Sequence, residues 1–238
     1  IMKDIIRKTA LQYGLTATFM PKPVFGNAGN GMHFHIMLHK NGKNLFYKKG
    51  GYADLSEEAI WFIGGILIHG RALVAFTNPS TNSFKRLLPG FEAPVKLFYG
   101  LANRSAAIRI PKYANTPETK RFEFRTGDGT CNPYLAMSAI LLAGLDGIKK
   151  QIDPAQYNLG PYDDNVFAWS EDKKAQLLSI PANLNEALQA LKEDHQFLLE
   201  GDVFNEELIE SHIELKLKES EAVSARPHPH EMVLYYNL

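Results

Sequence analysis

The chain has 238 residues, with 26 Lys and Arg balanced against 26 Asp and Glu and a single cysteine. That length supplies a sizeable core, because a compact chain of this size buries roughly 70–75% of the surface its unfolded form exposes. The charge balance excludes a global basic field for nucleic acid or an anionic membrane, and the lone Cys131 excludes a disulfide scaffold.

The chain opens inside an amphipathic helical pattern, Ile1 to Tyr13, with no capping residue before it, which reads as a piece of a longer protein. Thr16 to Met20 is expected as a short strand ended by Pro21 and Pro23. After the glycine-rich loop Gly26–Gly31, Met32 to His39 alternates with period two: Met32, Phe34, Ile36 and Leu38 face one way, and His33, His35, Met37 and His39 the other. Asn41-Gly42 is a hairpin signal, with Asn44 to Tyr47 as the return strand. Ser56 caps one long, almost wholly apolar helix running toward Phe76.

Two more stretches alternate. Ile108 and Ile110 oppose Ala107 and Arg109, and Phe122 and Phe124 oppose Arg121, Glu123 and Arg125. Asn132-Pro133 starts a helix to about Lys150, and further helices are expected near 170, 183–191, 194–199 and 205–218. No run approaches the ~18 apolar residues that span a bilayer and no signal-peptide pattern is present, so a soluble, cytoplasmic protein is expected. These patterns predict one α+β unit over 1–238, a mostly antiparallel sheet with one charged face lining a cleft and helices on the other face.

His33 and His35, two apart on one strand face, suit either a metal ligand and polar ligand contacts or ordinary hydrogen-bonded histidines. Glu123 between Arg121 and Arg125 suits a cross-strand ion network or a divalent cation. Arg104, Arg109, Arg121 and Arg125 cluster with few acids near them in the sequence, which points to phosphate or carboxylate oxygens as their partners. A histidine, a carboxylate, several arginines and a loop acid at Glu92 together suggest phosphoryl transfer by positioning and electrostatic stabilisation.

Asn78 to Pro94, Asn103-Arg-Ser-Ala-Ala-Ile-Arg-Ile-Pro111, Asn132-Pro-Tyr-Leu-Ala and Ala143-Gly-Leu-Asp-Gly147 closely resemble type I glutamine synthetase. Gly31-Met-His-Phe-His35 and the ending Pro227-His-Pro-His followed by Leu234-Tyr-Tyr236 match as well, so the resemblance runs the whole chain. It implies the C-terminal portion of a catalytic domain whose N-terminal domain and first acidic metal ligands lie upstream. The implied activity is ATP-dependent ligation of ammonia to glutamate through γ-glutamyl phosphate, with two Mg2+ or Mn2+ ions per site in the full-length protein and a homo-oligomer, a dodecamer, as its assembly. The isolated chain is expected to be inactive. The alternatives are a γ-glutamyl ligase using another amine, or a non-catalytic assembly or binding fragment.

By the same resemblance His33 and Glu123 are metal ligands, and Gly29, Arg86, Glu92, Arg104 and Arg125 contact glutamate. His35, Arg104, Arg109 and Arg121 face ATP, while Glu92, Arg104 and Arg125 act in catalysis, Glu92 as the loop acid that takes a proton from ammonium. The family pattern is broken at Ala28, Met37 and Glu118. In the family the C-terminal helix inserts into a neighbouring subunit across two stacked six-membered rings, a role that Met232 to Tyr236 would fill.

Overall fold

The computed structural model describes residues 1–90 and 93–238, so Glu92 lies outside the described residues. Helix α1 (Met2–Gln12) forms as expected but buries none of its residues. Thr16 to Met20 is not a strand: among the described residues no neighbouring backbone pairs with it, and the centre of the Phe19 ring instead lies 5.3 Å from the Arg7 guanidinium. The alternating segment after the glycine-rich loop is shorter than its pattern, with β1 at Phe34–Ile36 and a separate hairpin of β2 (His39–Lys40) and β3 (Lys43–Asn44). Asn41 and Gly42 both take positive φ, 51° and 76°, as the Asn-Gly signal requires.

The single long helix expected after Ser56 is two, α2 (Glu57–Ile68) and α3 (Gly70–Thr77), bent by 75° at His69. The Ser56 hydroxyl caps α2 by accepting from Ala59 N–H at 3.1 Å. Short α4 (Thr81–Arg86) follows, closed at its start by a reciprocal Ser80–Ser83 cap. Among the described residues no single helix is long and apolar enough to cross a membrane.

Three further strands are β4 (Lys96–Leu101), β5 (Ala106–Ile110) and β6 (Phe122–Phe124). The four-stranded sheet has the order β1-β6-β5-β4, with β1/β6 and β6/β5 antiparallel and β4/β5 parallel. Strand β4 gave no alternating signal because its residues 97–100 are all buried, as a strand covered on both faces would be. The β4–β5 connection is only four residues long, far shorter than the usual crossover between parallel strands.

Helix α5 (Pro133–Lys150) is capped by Asn132 and crosses α2 closely. A Cβ on Gly65 would lie 2.1 Å from the Ala143 carbonyl oxygen and one on Gly147 2.1 Å from that of Trp61, so the crossing requires glycine on both helices. Short α6 (Glu171–Ala175), then α7 (Leu184–Glu193), α8 (Glu206–Ser224) and α9 (Pro229–Tyr235) complete the chain, with a 3-10 segment at Gln196–Asp202 in place of the helix expected at 194–199. The core lies between the sheet and the α2–α5 layer, where the rings of Phe46, Phe62 and Phe122 meet with centroids 5.4–5.9 Å apart.

Candidate active site

Strand register alone builds the centre of the site. His35 stands opposite Glu123 on β1/β6, and Arg109 stands opposite Glu123 on β5/β6, so three strands carry an imidazole, a carboxylate and a guanidinium in one row. The pleat sends Phe34, Phe122, Phe124, Ile108 and Ile110 to the core side. Core burial of the phenylalanines thereby fixes which face the polar row occupies.

Glu123 is 1% exposed, and its two oxygens divide the surrounding cations. Oε2 accepts from Arg109 Nη2 at 3.0 Å and has His35 Nε2 at 3.4 Å. Oε1 is 2.8 Å from Arg109 Nε and 3.0 Å from Arg125 Nε, with His33 Nδ1 at 3.9 Å. None of these close approaches to Oε1 has hydrogen-bond geometry, so Oε1 and the two guanidinium Nε atoms are buried polar atoms without a hydrogen-bonded partner. The ion-network reading of Glu123 is therefore present in the structure, with Arg109 and Arg125 as its cations.

Burial, and after it the Arg125 cation, outweigh the pull of Glu123 and bring the His33 pKa down to about 4. Its imidazole is thus neutral at physiological pH, the protonation state that ligates a metal. His33 and Glu123 fit a divalent cation as an imidazole and an orphaned buried carboxylate oxygen, two donors of a set. Among the described residues no group of three or more His, Cys, Asp or Glu side chains is placed to hold a metal. A cation bound by this chain alone would have to take most of its ligands from elsewhere.

Arg125 and Arg86 are buried on backbone carbonyls, which for Arg125 corrects the expectation that its burial requires anions the chain does not itself provide. Arg125 Nη1 donates to the carbonyls of Arg104 and, at 3.2 Å, Ala106. Arg86 Nη1 donates to Thr126 O at 2.6 Å and Gly127 O at 3.2 Å, and Nη2 to Arg125 O at 3.3 Å. A Cβ on Gly31 would meet Arg86 Nη2 at 2.5 Å and His33 Nε2 at 3.2 Å, and one on Gly29 would meet Arg86 Cγ at 3.0 Å. The glycines let the loop lie against Arg86, so Gly29, Arg86, His33 and Arg125 converge.

On the opposite side of Glu123, Arg121 Nε approaches His35 Nδ1 at 3.4 Å while Nη1 donates to Thr119 O at 3.0 Å, so these two also meet. Arg104 is exposed on the short β4–β5 connection and Arg109 is half-buried on β5. A buried network that residue patterns did not single out supports the Arg86 grip. Asn78 Nδ2 donates to Thr126 O at 2.8 Å and to Asp128 Oδ2 at 3.0 Å, and Thr77 Oγ1 donates to Asn78 Oδ1 at 2.8 Å. Its only trace in the sequence is an Asn and an Asp on either side of the charged strands.

A family model described as the catalytic domain of glutamine synthetase matches residues 1–235. Glutamine synthetase of Frankia alni is 49% identical over 239 residues, covering 100% of this chain and 50% of that protein, and that of Mycolicibacterium smegmatis is 50% identical over 240 residues, covering 100% and 49%. The chain therefore spans about half the length of the curated relatives it matches. Among solved structures, a Plasmodium falciparum glutamine synthetase superposes with a TM-score of 0.84 at 36% identity, covering 98% of this chain and 52% of that one. Ligand-free GmaS superposes with a TM-score of 0.84 at 33% identity, covering 100% and 52%.

Proposed function

We propose that this chain, which belongs to the glutamine synthetase catalytic-domain family, carries the phosphate-facing half of a ligase site that joins ammonia to glutamate at the expense of ATP. The observation that carries the reading is the row His35–Glu123–Arg109, with Arg125 and His33 against the same carboxylate. Two fixed guanidinium groups share one buried carboxylate, which leaves the surface around them with a net positive charge. Such a surface suits the charge spread over a phosphoryl group during transfer.

In this reading the γ-phosphoryl group passes from ATP to the side-chain carboxylate of glutamate, ammonia attacks the resulting acyl phosphate, and phosphate leaves. Arg104 and Arg109 hold phosphate oxygens, Arg125 binds the glutamate side and the transferring group, and Gly29 with Arg86 shapes the amino-acid end. Arg121 and His35 lie toward the nucleotide. His33 and Glu123 would hold a Mg2+ or Mn2+ ion, which when bound neutralises phosphate charge and polarises the transferring group. Glu92 takes the proton from ammonium, and the reaction belongs in the cytoplasm.

The test uses the full-length protein that carries this chain, with glutamate, ATP and ammonium. Glutamine and phosphate should form together, and Glu92→Ala should lower kcat by about 10²–10⁴, as removal of a general base does, while leaving ATP affinity nearly unchanged. Product only with a substituted amine in place of ammonium overturns the acceptor assignment. Glu92→Ala with kcat within a few-fold of the parent overturns the role of the loop acid.

A further inference from the structure

The connection that carries Arg104 has almost no slack. Lys96 pairs with Ala106 and Leu101 with Ile110 in parallel register, so the five steps from Leu101 to Ala106 must run back along the whole of β4. At ~3.3 Å per residue that is about the full reach of the chain. The reversal is made at Ala102, whose φ is +56°, and the return is then held by side chains rather than by a strand partner.

Asn103 is the centre of that hold. It is 7% exposed, and its Nδ2 donates to Tyr162 O at 2.8 Å and Asp164 O at 2.7 Å. Its Oδ1 accepts from Ser105 N–H at 2.9 Å and Ser105 Oγ at 2.6 Å. Both N–H donors and both acceptor sites of the amide are thus used, which neither Asp nor an apolar residue could reproduce. Just before the turn, Leu101 N–H donates to Asp163 Oδ1 at 2.7 Å and to Tyr52 Oη at 2.9 Å.

The segment that receives Asn103 is itself pressed onto β4. Tyr162 N–H donates to Tyr99 O at 2.9 Å, and a Cβ on Gly100 would lie 2.0 Å from Tyr162 O, the carbonyl to which Asn103 donates. On the other side of the return Arg125 donates to Arg104 O. Arg104 is therefore flanked by Asn103 on one side and Ser105 on the other, both held, and its own carbonyl is bound, while its side chain is exposed.

We infer that Asn103 is a positioning residue for Arg104, fixing through the 162–164 segment where that guanidinium meets phosphate oxygens. The inference rests on the ligase reading for what Arg104 touches, and on the hydrogen bonds above for how it is held. It predicts that Asn103 matters only as long as Arg104 is present.

The experiment is a double-mutant cycle in the full-length protein: Asn103→Ala, Arg104→Ala and both together, each read for kcat, KM for ATP, ATP affinity by titration calorimetry and thermal stability. Asn103→Ala should lower kcat by about 10- to 10²-fold, the usual cost of a small misplacement at a reacting site. In the Arg104→Ala background the same change should cost about twofold or less, because the two act as one unit. Equal fold losses in the two backgrounds, or no loss in either, overturn the inference and mark Asn103 as a purely structural residue. Should Asn103→Ala fail to fold, Asn103→Ser, which keeps an oxygen at that position, goes through the same cycle with the same criteria.

Failure of the ligase reading is seen separately, as an unmutated protein that forms no γ-glutamyl amide from glutamate, ATP and any amine. The cycle is then scored on ATP affinity. Weakening by Asn103→Ala that vanishes in the Arg104→Ala background supports the positioning role, and weakening that persists there, or none at all, overturns it.

Discussion

His69 Nδ1 lies 2.8 Å from Asp194 Oδ2. The other ring nitrogen, Nε2, lies 3.0 Å from Asp146 Oδ2, and the ring stacks on Phe197 with centroids 4.0 Å apart. Carboxylates only accept, so a ring bonded to two of them must donate from both nitrogens and is an imidazolium. His69 sits at the 75° bend between α2 and α3, and its partners lie on α5 and at the end of α7, so one buried cation ties four helices together.

Burial lowers the His69 pKa, but the bonds and charges of Asp194 and Asp146 outweigh it and leave the group raised above its ordinary value. Lys150, 2.9 Å from Asp146, shares that carboxylate. A group raised on folding contributes stability that is fully present below its unfolded pKa, ~6.5, and is lost as pH rises through the higher folded value. The melting temperature should therefore fall as pH rises above about 6.5, and His69→Phe should remove that slope while costing about 1–3 kcal/mol for the partners left without a donor. Thermal melts of both proteins from pH 6 to 9 check this; parallel curves would show that His69 is not the titrating group.

Glu123 is the second buried charge whose removal has a definite sign. Glu123→Ala leaves the Arg125 and Arg109 guanidinium groups facing each other without their shared anion, and removing one partner of a buried pair typically costs about 3–5 kcal/mol. Glu123→Gln keeps an oxygen for Arg109 but no charge. It should fold with a smaller loss and bind Mn2+ more weakly than the parent. Chemical denaturation combined with Mn2+ titration followed by paramagnetic relaxation separates the two effects. Equal Mn2+ affinity in parent and Glu123→Gln would remove Glu123 from the ligand set.

That His35, Glu123 and Arg109 lie on polar strand faces was legible in the sequence because period-two alternation fixes a strand's faces, and the phenylalanines identify the buried one. Register across the strands is a long-range property, so the sequence placed these residues on strands without stating that they stand opposite one another. Strand β4 escaped because burial on both faces erases alternation. The bend at His69 escaped for a related reason: apolar residues on both sides of it continue a helical pattern, and the polar partners that hold His69 at the bend lie 77 and 125 residues away. Asn103 carried no signal beyond its place in Asn-Arg-Ser, since its four partners are backbone atoms and a neighbouring serine.

The last prediction concerns α9 and assembly. None of its residues is buried, and Met232, Val233, Leu234, Tyr235 and Tyr236 are 54–79% exposed, so the described residues of this chain do not cover the segment. Leaving large apolar side chains in water forgoes about 1.5–3 kcal/mol for each one that could be buried, and a run of five is far more than scattered surface residues explain. The resemblance to type I glutamine synthetase implies that a neighbouring subunit covers the segment, and a deletion tests that expectation. Because α9 has no buried residue, deleting residues from Pro229 onward should leave the subunit folded, with unchanged far-ultraviolet circular dichroism per residue elsewhere. If the full-length protein forms the double ring that the resemblance implies, the same deletion should convert it to single rings or smaller species. Sedimentation velocity decides: an unchanged assembly after the deletion would mean that α9 is covered within its own subunit and that the contacts between rings lie elsewhere.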